Sequence, residues 1–177
     1  MPDRGLGPYP AGGRPEESET LCVNAYSWGA PASPRTDRDW FDLASVATVE
    51  VTSETKDHPV ESALLLSETR GWRAAQPGTQ IIPLLFDHPL KVKRISLVFE
   101  ETEKTRTQEF VLRWSSDLGP SFREIVRQQW NFSPPGTVRE VEEYSVDLLN
   151  VTVMELEIVP DKSSGEAQAS LSSLRLA

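Results

Sequence analysis

The chain of 177 residues has one cysteine, Cys22, and two histidines, His58 and His88. A single thiol cannot close an internal disulfide, which excludes the stapled scaffold of small secreted proteins. Neither histidine has zinc-site spacing. Both precede a proline, in His58-Pro59 and Asp87-His88-Pro89, and a turn accounts for each. Asp87 beside His88 is the nearest approach to an oriented base, and no Gly-x-Ser-x-Gly elbow or other activated nucleophile accompanies it. A phosphate-cradling glycine loop and a dinucleotide fingerprint are also missing. No catalytic residue is assigned, and the chain is read as non-enzymatic.

Positive charge is scarce too: 18 Lys and Arg stand against 27 Asp and Glu, a formal net charge of −9. Attachment to phosphate backbones depends on clustered cations that release counterions, so general nucleic-acid binding is not expected. No segment approaches the roughly 18 apolar residues of a membrane span. The opening MPDRGLGPYPAGG lacks the apolar core of a signal peptide, and on that ground the chain is expected to be cytoplasmic. The acidic runs Glu100-Glu101-Thr102-Glu103 and Glu140-Val141-Glu142-Glu143 read as solvated faces rather than as the paired carboxylates of a glycosidase.

What is present falls into two parts. Residues 1–41 are interrupted by Pro2, Pro8, Pro10, Pro15, Pro31 and Pro34 and by Gly5, Gly7, Gly12 and Gly13, and read as a tail or linker. Tyr9, Tyr26, Trp28, Trp40 and Phe41 are unusual for a solvated linker and give this arm something to lay against the domain or a partner. Residues 42–177 carry the regular patterns of one domain. Val46, Val49 and Val51 mark a short strand, and Pro59 opens one helical turn over 59–65. Ile81-Ile82, Leu84, Leu85 and Phe86 form a nearly continuous apolar run suited to a central strand, and Val92, Ile95, Leu97 and Phe99 form a half-buried one. Residues 100–109 read as a charged connection. Phe110, Leu112 and Trp114 then lead through the turn Ser115-Ser116-Asp117-Leu118-Gly119-Pro120 into a hairpin partner at 123–127. Further strands are expected at 138–148 and 153–159, with Ala167 to Leu176 closing the chain. About eight short strands, one helical turn and no long amphipathic helix predict an all-β antiparallel sandwich.

Several stretches resemble the discoidin, or coagulation-factor C-type, family of galactose-binding-like domains: DLASVATVEVTSE at 42–54, HPVESALL at 58–65, GWRAAQPGTQIIPLLFDHPLKVKRISLVF at 71–99, WSSDLGPSFREI at 114–125 and ASLSSLRLA at 169–177. The resemblance implies a jelly roll that holds its ligand on loops at one end. Where many members of the family hold structural calcium with acidic oxygens, this chain has Ser67-Glu68-Thr69-Arg70-Gly71 and Ser172-Ser173. Only Glu68 and backbone carbonyls remain there as ligands, and no metal or other cofactor is expected. The His58-to-Ala63 turn and the Trp72-to-Gly78 run also resemble intracellular adaptor relatives, among them the amino-terminal domain of the animal single-strand-break repair scaffold.

The architecture implied by the resemblance singles out aromatic and forked polar side chains near the loop tips as ligand-binding residues. These are Arg70, Trp72 and Arg73 from the first loop, and Arg127, Gln129, Trp130, Asn131 and Phe132 around the far end of the hairpin. Packing into the core is the competing expectation for Trp72, and Trp130 reads equally as a loop platform or a core residue. The functional expectation is a non-catalytic carbohydrate-binding module. The alternative is an intracellular domain that holds a protein partner.

Overall fold

The computed structural model describes residues 40–67, 70–163 and 165–177. The reading of residues 1–39 as a tail, together with Cys22, lies outside them. The last two residues of that expected tail are packed: Trp40 is partly buried under the Arg94 guanidinium, 4.7 Å from its ring centroid. Phe41 lies against the core and donates its backbone N–H to Leu176 O at 2.8 Å.

Among the described residues, eight strands and two single helical turns make an antiparallel jelly-roll sandwich. In chain order they are α1 (Leu43–Val46), β1 (Ala47–Val49), α2 (Glu61–Leu64), β2 (Trp72–Pro77), β3 (Gln80–Glu100), β4 (Arg106–Ser115), β5 (Arg123–Phe132), β6 (Arg139–Val159), β7 (Gln168–Leu171) and β8 (Ser173–Leu176). The turn α2 is the one expected from Pro59. The other, α1, replaces the expected start of a strand, because Ser45 N donates to Asp42 O and the Ser45 hydroxyl to the Asp42 carboxylate, winding Val46 into a turn.

The sheet is built on one ribbon. β3 and β6 pair over their whole lengths, in the order β1-β3-β6-β4-β5, with β8 added on β3; β2 and β7 form a separate pair. Two expected strands on either side of Asp87-His88-Pro89 are therefore one strand, and so are those expected at 138–148 and 153–159. Bulges absorb the breakers: Leu85 to Leu90 is five steps on β3 against two from Val153 to Val151 on β6. On β6, Asn150 adopts a left-handed φ of 56° at the same place. The ribbon bends there, so its two halves belong to different layers. The half with Gln80 to Phe86 joins β1, β4 and β5, and the half with Arg94 to Glu100 joins β8. Across the interior the Phe99 and Phe110 rings stack at 5.1 Å and 29°.

Alternation fills the core. Ile82, Leu84 and Phe86 point inward from β3 while Ile81 and Leu85 are about 40% exposed, at 39% and 41%. The apolar run read as a doubly buried central strand is thus half-buried. The same parity puts Leu97 and Phe99 against Phe110, Leu112, Leu156 and Ile158. Among the described residues no helix is long and apolar enough to cross a membrane.

Candidate ligand-binding site

Trp72 and Arg73 are expected on a loop but lie in β2, because residues 72–77 pair with β7: Trp72 stands opposite Leu171 and Arg73 opposite Ser170. The turn at residues 55–58 closes on the other side, with Thr55 N donating to Arg73 O at 2.9 Å and Arg73 N to His58 O at 3.2 Å. The chain enters β2 through Gly71, whose φ is +65°. A Cβ there would meet Leu171 O at 2.6 Å and Ser172 Cα at 2.8 Å, so only glycine lets β2 approach β7 this closely. The His58 ring then sits with Nδ1 3.1 Å from Arg70 O.

These contacts leave a cleft of about 130 Å³ lined by His58, Arg70, Trp72, Arg73, Glu100, Thr102 and residues 170–172. It shares Arg73 and Ser170 with a smaller hollow of about 50 Å³ walled by Glu101, Glu103, Lys104, Arg106 and Gln168. The structure thus brings Arg70, Trp72 and Arg73 into one place. Trp72 is 1% exposed, which matches the expectation of core packing for its ring, yet it also forms part of the cleft wall. Its indole Nε1 is buried with no acceptor among the described residues.

The charges of the cleft are mostly balanced. Glu100 pairs with Arg139 at 3.2 Å. Glu101 holds its own loop: Oε1 accepts from Glu103 N at 2.8 Å and Lys104 N at 3.1 Å, and Oε2 lies 3.0 Å from Arg106 Nε. That last contact is an ion pair without hydrogen-bond alignment, while Arg106 Nη1 donates to Gln168 O at 2.8 Å. Burial pulls the Arg106 guanidinium below its ordinary value, Glu101 opposes this, and the Arg73 charge adds to the lowering. Arg106 is expected within the charged connection of residues 100–109; instead it is the first residue of β4 and is buried.

The second group does not join this cleft. Arg127, Gln129, Trp130, Asn131 and Phe132 are expected near loop tips around the far end of the hairpin; the structure places all five within β5, paired with β4 from Arg106↔Phe132 to Trp114↔Arg123. The breaker Ser133-Pro134-Pro135-Gly136 begins only after the pairing ends. Alternation then divides the group. Phe132 is fully buried, and Trp130 is half-buried against the core with its Nε1 buried and unpartnered among the described residues. Arg127, Gln129 and Asn131 lie on the opposite, outer face.

On that outer face Glu109 is a hub. It accepts from Gln129 Nε2 at 2.7 Å, Lys162 Nζ at 3.0 Å and Arg127 Nη1 at 3.2 Å, while Arg127 Nη2 reaches Glu124 at 3.1 Å. The Gln129 amide first, and then Lys162, hold the Glu109 carboxyl below the usual carboxylate range. Asn131 Oδ1 accepts from the Thr107 hydroxyl at 2.7 Å. Arg113 bridges Glu155 at 3.0 Å and Glu157 at 2.7 Å on the same face. These side chains are engaged with one another, not aimed at a concavity.

The acidic run at 140–143 is also reversed from a simple solvated face. Glu140 and Glu142 stand opposite the core residues Phe99 and Leu97 and share their face, and Val141 between them is 48% exposed. Tyr144 donates to Glu142 Oε2 at 2.7 Å. Burial, and then the neighbouring Glu142, push the Glu140 carboxyl up to about 7, and burial likewise raises the Tyr144 phenol.

Asp87 and His88 are exposed in the bend of β3 and line none of the clefts described here. No three His, Cys, Asp or Glu side chains among the described residues form a group that could hold a metal ion. Glu68, the carboxylate left for a calcium site, lies outside the described residues. Sequence reasoning missed Arg106, Gln168, Ser170 and Ser172 as cleft residues. Their only signal was polarity in short segments, which is shared with any loop.

No family model matches the chain, and no curated protein matches it. Solved structures do. The third family 32 carbohydrate-binding module of a family 31 glycoside hydrolase from Clostridium perfringens is 14% identical, with 77% of this chain and 93% of that chain covered and a TM-score of 0.59. A family 32 module from a family 89 glycoside hydrolase of the same organism, solved in complex with GalNAc-β-1,3-galactose, is 18% identical, with 77% and 98% covered and a TM-score of 0.57. Reduced XRCC1, solved bound to the catalytic domain of DNA polymerase β, is 14% identical, with 75% and 94% covered and a TM-score of 0.53. At these identities the likeness is one of fold: the chain has the discoidin-like, galactose-binding-like jelly roll.

Proposed function

We propose that this domain is a non-catalytic module that binds carbohydrate in the cleft between β2, β7 and the loop after β3. The observation that carries the reading is the convergence of Arg70, Arg73, His58, Ser170 and Ser172 around the wall formed by Trp72. Forked guanidinium donors and hydroxyls around a concavity suit the many hydroxyls of a sugar. Support for the ligand class comes from the like-folded Clostridium perfringens module solved with GalNAc-β-1,3-galactose. A glycan array followed by titration of the strongest hits tests the proposal. Binding is expected, with at least a tenfold loss in Arg73→Ala, the size of a lost charged hydrogen bond. Silence across the array overturns it.

A second reading, a domain that holds a protein partner, is favoured by the outer face of β4 and β5. There the Glu109 hub fixes Arg127 and Gln129 in place, and the like-folded XRCC1 was solved bound to a protein. Under this reading cross-links to one defined partner map to β4 and β5 and disappear in Arg127→Glu. Cross-links that map elsewhere, or that survive the charge reversal, dismiss it.

A further inference from the structure

We infer that the sugar taken by the cleft is acidic, carrying a carboxylate that Arg73 reads; this deepens the proposed function and rests on it. The inference begins with charge balance. Glu100 is committed to Arg139, and Glu101 to Arg106 and to two backbone amides. Arg73 is exposed, lines both hollows, and has no carboxylate partner among the described residues. Beside it in the smaller hollow, along with Glu101, Glu103 and Lys104, stands a charge like its own, the Arg106 guanidinium. Arg73 on β2 and Arg106 on β4, whose Nη1 donates to Gln168 O of β7 at 2.8 Å, line one hollow; the two cations repel, and an anion placed on Arg73 relieves that repulsion. A planar guanidinium meets a carboxylate with two parallel N–H···O bonds, stronger than its bonds to a neutral hydroxyl.

A second observation comes from the wall. Trp72 is 1% exposed and lines the same cleft, and its Nε1–H donates to nothing among the described residues. A buried donor without an acceptor is costly, so a ligand oxygen that reaches it gains what the free protein forgoes. With Ser170 and Ser172 on β7 and at its end, and Thr102 on the adjoining loop, the cleft presents donors to an anionic ring and hydroxyls to the rest of it.

The test titrates the full chain with galacturonate, galactose and galactose 6-sulfate, followed by amide chemical shifts at low and high salt. Galacturonate is expected to bind at least about tenfold more tightly than galactose, the size of one charge-assisted hydrogen-bond pair. Added salt is expected to shrink that preference. Arg73→Gln is expected to abolish the preference, and Arg73→Lys to restore only part of it, since lysine keeps the charge without the fork. Trp72→Phe, which removes the N–H and keeps the ring, is expected to weaken binding without lowering the melting temperature. Galactose binding as tightly as galacturonate overturns the inference and leaves the proposed function standing. Tighter binding of the sulfate than of galacturonate overturns the carboxylate assignment. If none of the three sugars binds, this inference fails, and the glycan array decides the proposed function separately.

Discussion

The Glu140 side chain shows how one position can make stability depend on pH. Its ordinary value of 4.5 is raised to about 7, first by burial beside Phe99 and then by Glu142. The groups across from it on β3, Ile95, Leu97 and Phe99, carry no charge, and Tyr144 already donates to Glu142, so nothing offsets a second negative charge. The folded state keeps a proton that the unfolded chain releases. Stability from this site is therefore fully present below about pH 4.5 and is lost as pH rises through 7. Allowing for the screening of a partly exposed carboxyl, the effect is about 1 kcal/mol, or roughly 3 °C. Glu140→Gln is expected to raise the melting temperature at pH 8 and to leave it nearly unchanged at pH 4, as read by thermal unfolding across the pH range. An equal shift at both pH values contradicts this account. Glu109 behaves oppositely: its carboxyl is held low by Gln129 and Lys162, so its contribution is present at neutral pH and lost in acid.

At the scale of elements, the β2–β7 pair decides whether the cleft exists. Its close approach depends on Gly71, because a methyl group would collide with the β7 backbone and the φ of +65° disfavours any other residue. Gly71→Ala is expected to cost about 1–3 kcal/mol and to disturb the amide signals of Arg73 and Ser170 before those of the β4–β5 hairpin. Unchanged stability in this variant refutes the close approach. The bend of the β3–β6 ribbon is the other decisive element. The bulges between Leu85 and Arg94 and the left-handed Asn150 turn one long hairpin through both layers, which is why Glu100 and Gln80, the two ends of β3, both reach the end of the sandwich that carries the cleft.

For the whole molecule the interior decides cooperativity. Phe99 from one layer stacks on Phe110 from the other at 5.1 Å, and both belong to the single core that also takes in Trp72, Leu112, Leu156 and Leu174. Phe99→Ala removes the ring that joins the layers and is expected to cost about 3–5 kcal/mol, with one shared unfolding transition seen by near- and far-ultraviolet circular dichroism. Loss of the near-ultraviolet signal well before the far-ultraviolet one speaks against a single core.

The sequence by itself determined the antiparallel all-β class, the turn after Pro59, the hairpin across Ser115 to Phe122, and the inward set Val92, Ile95, Leu97 and Phe99, because alternation and turn chemistry are carried by neighbours along the chain. It also singled out Arg70, Trp72 and Arg73 as a group, since they are adjacent. Only the tertiary structure decided that Arg127, Gln129 and Asn131 turn away from Trp130 and Phe132, that Glu140 and Glu142 share a face with Phe99 and Leu97, and that Asp87-His88-Pro89 is a bulge rather than a break. The cleft itself was hidden for the same reason. Arg73 meets Ser170 across the pairing of β2 with β7, and Arg106 reaches Gln168 O from the start of β4. Such meetings are fixed by strand register between segments far apart in the chain, and register is set by the packed layers as a whole rather than by any local pattern.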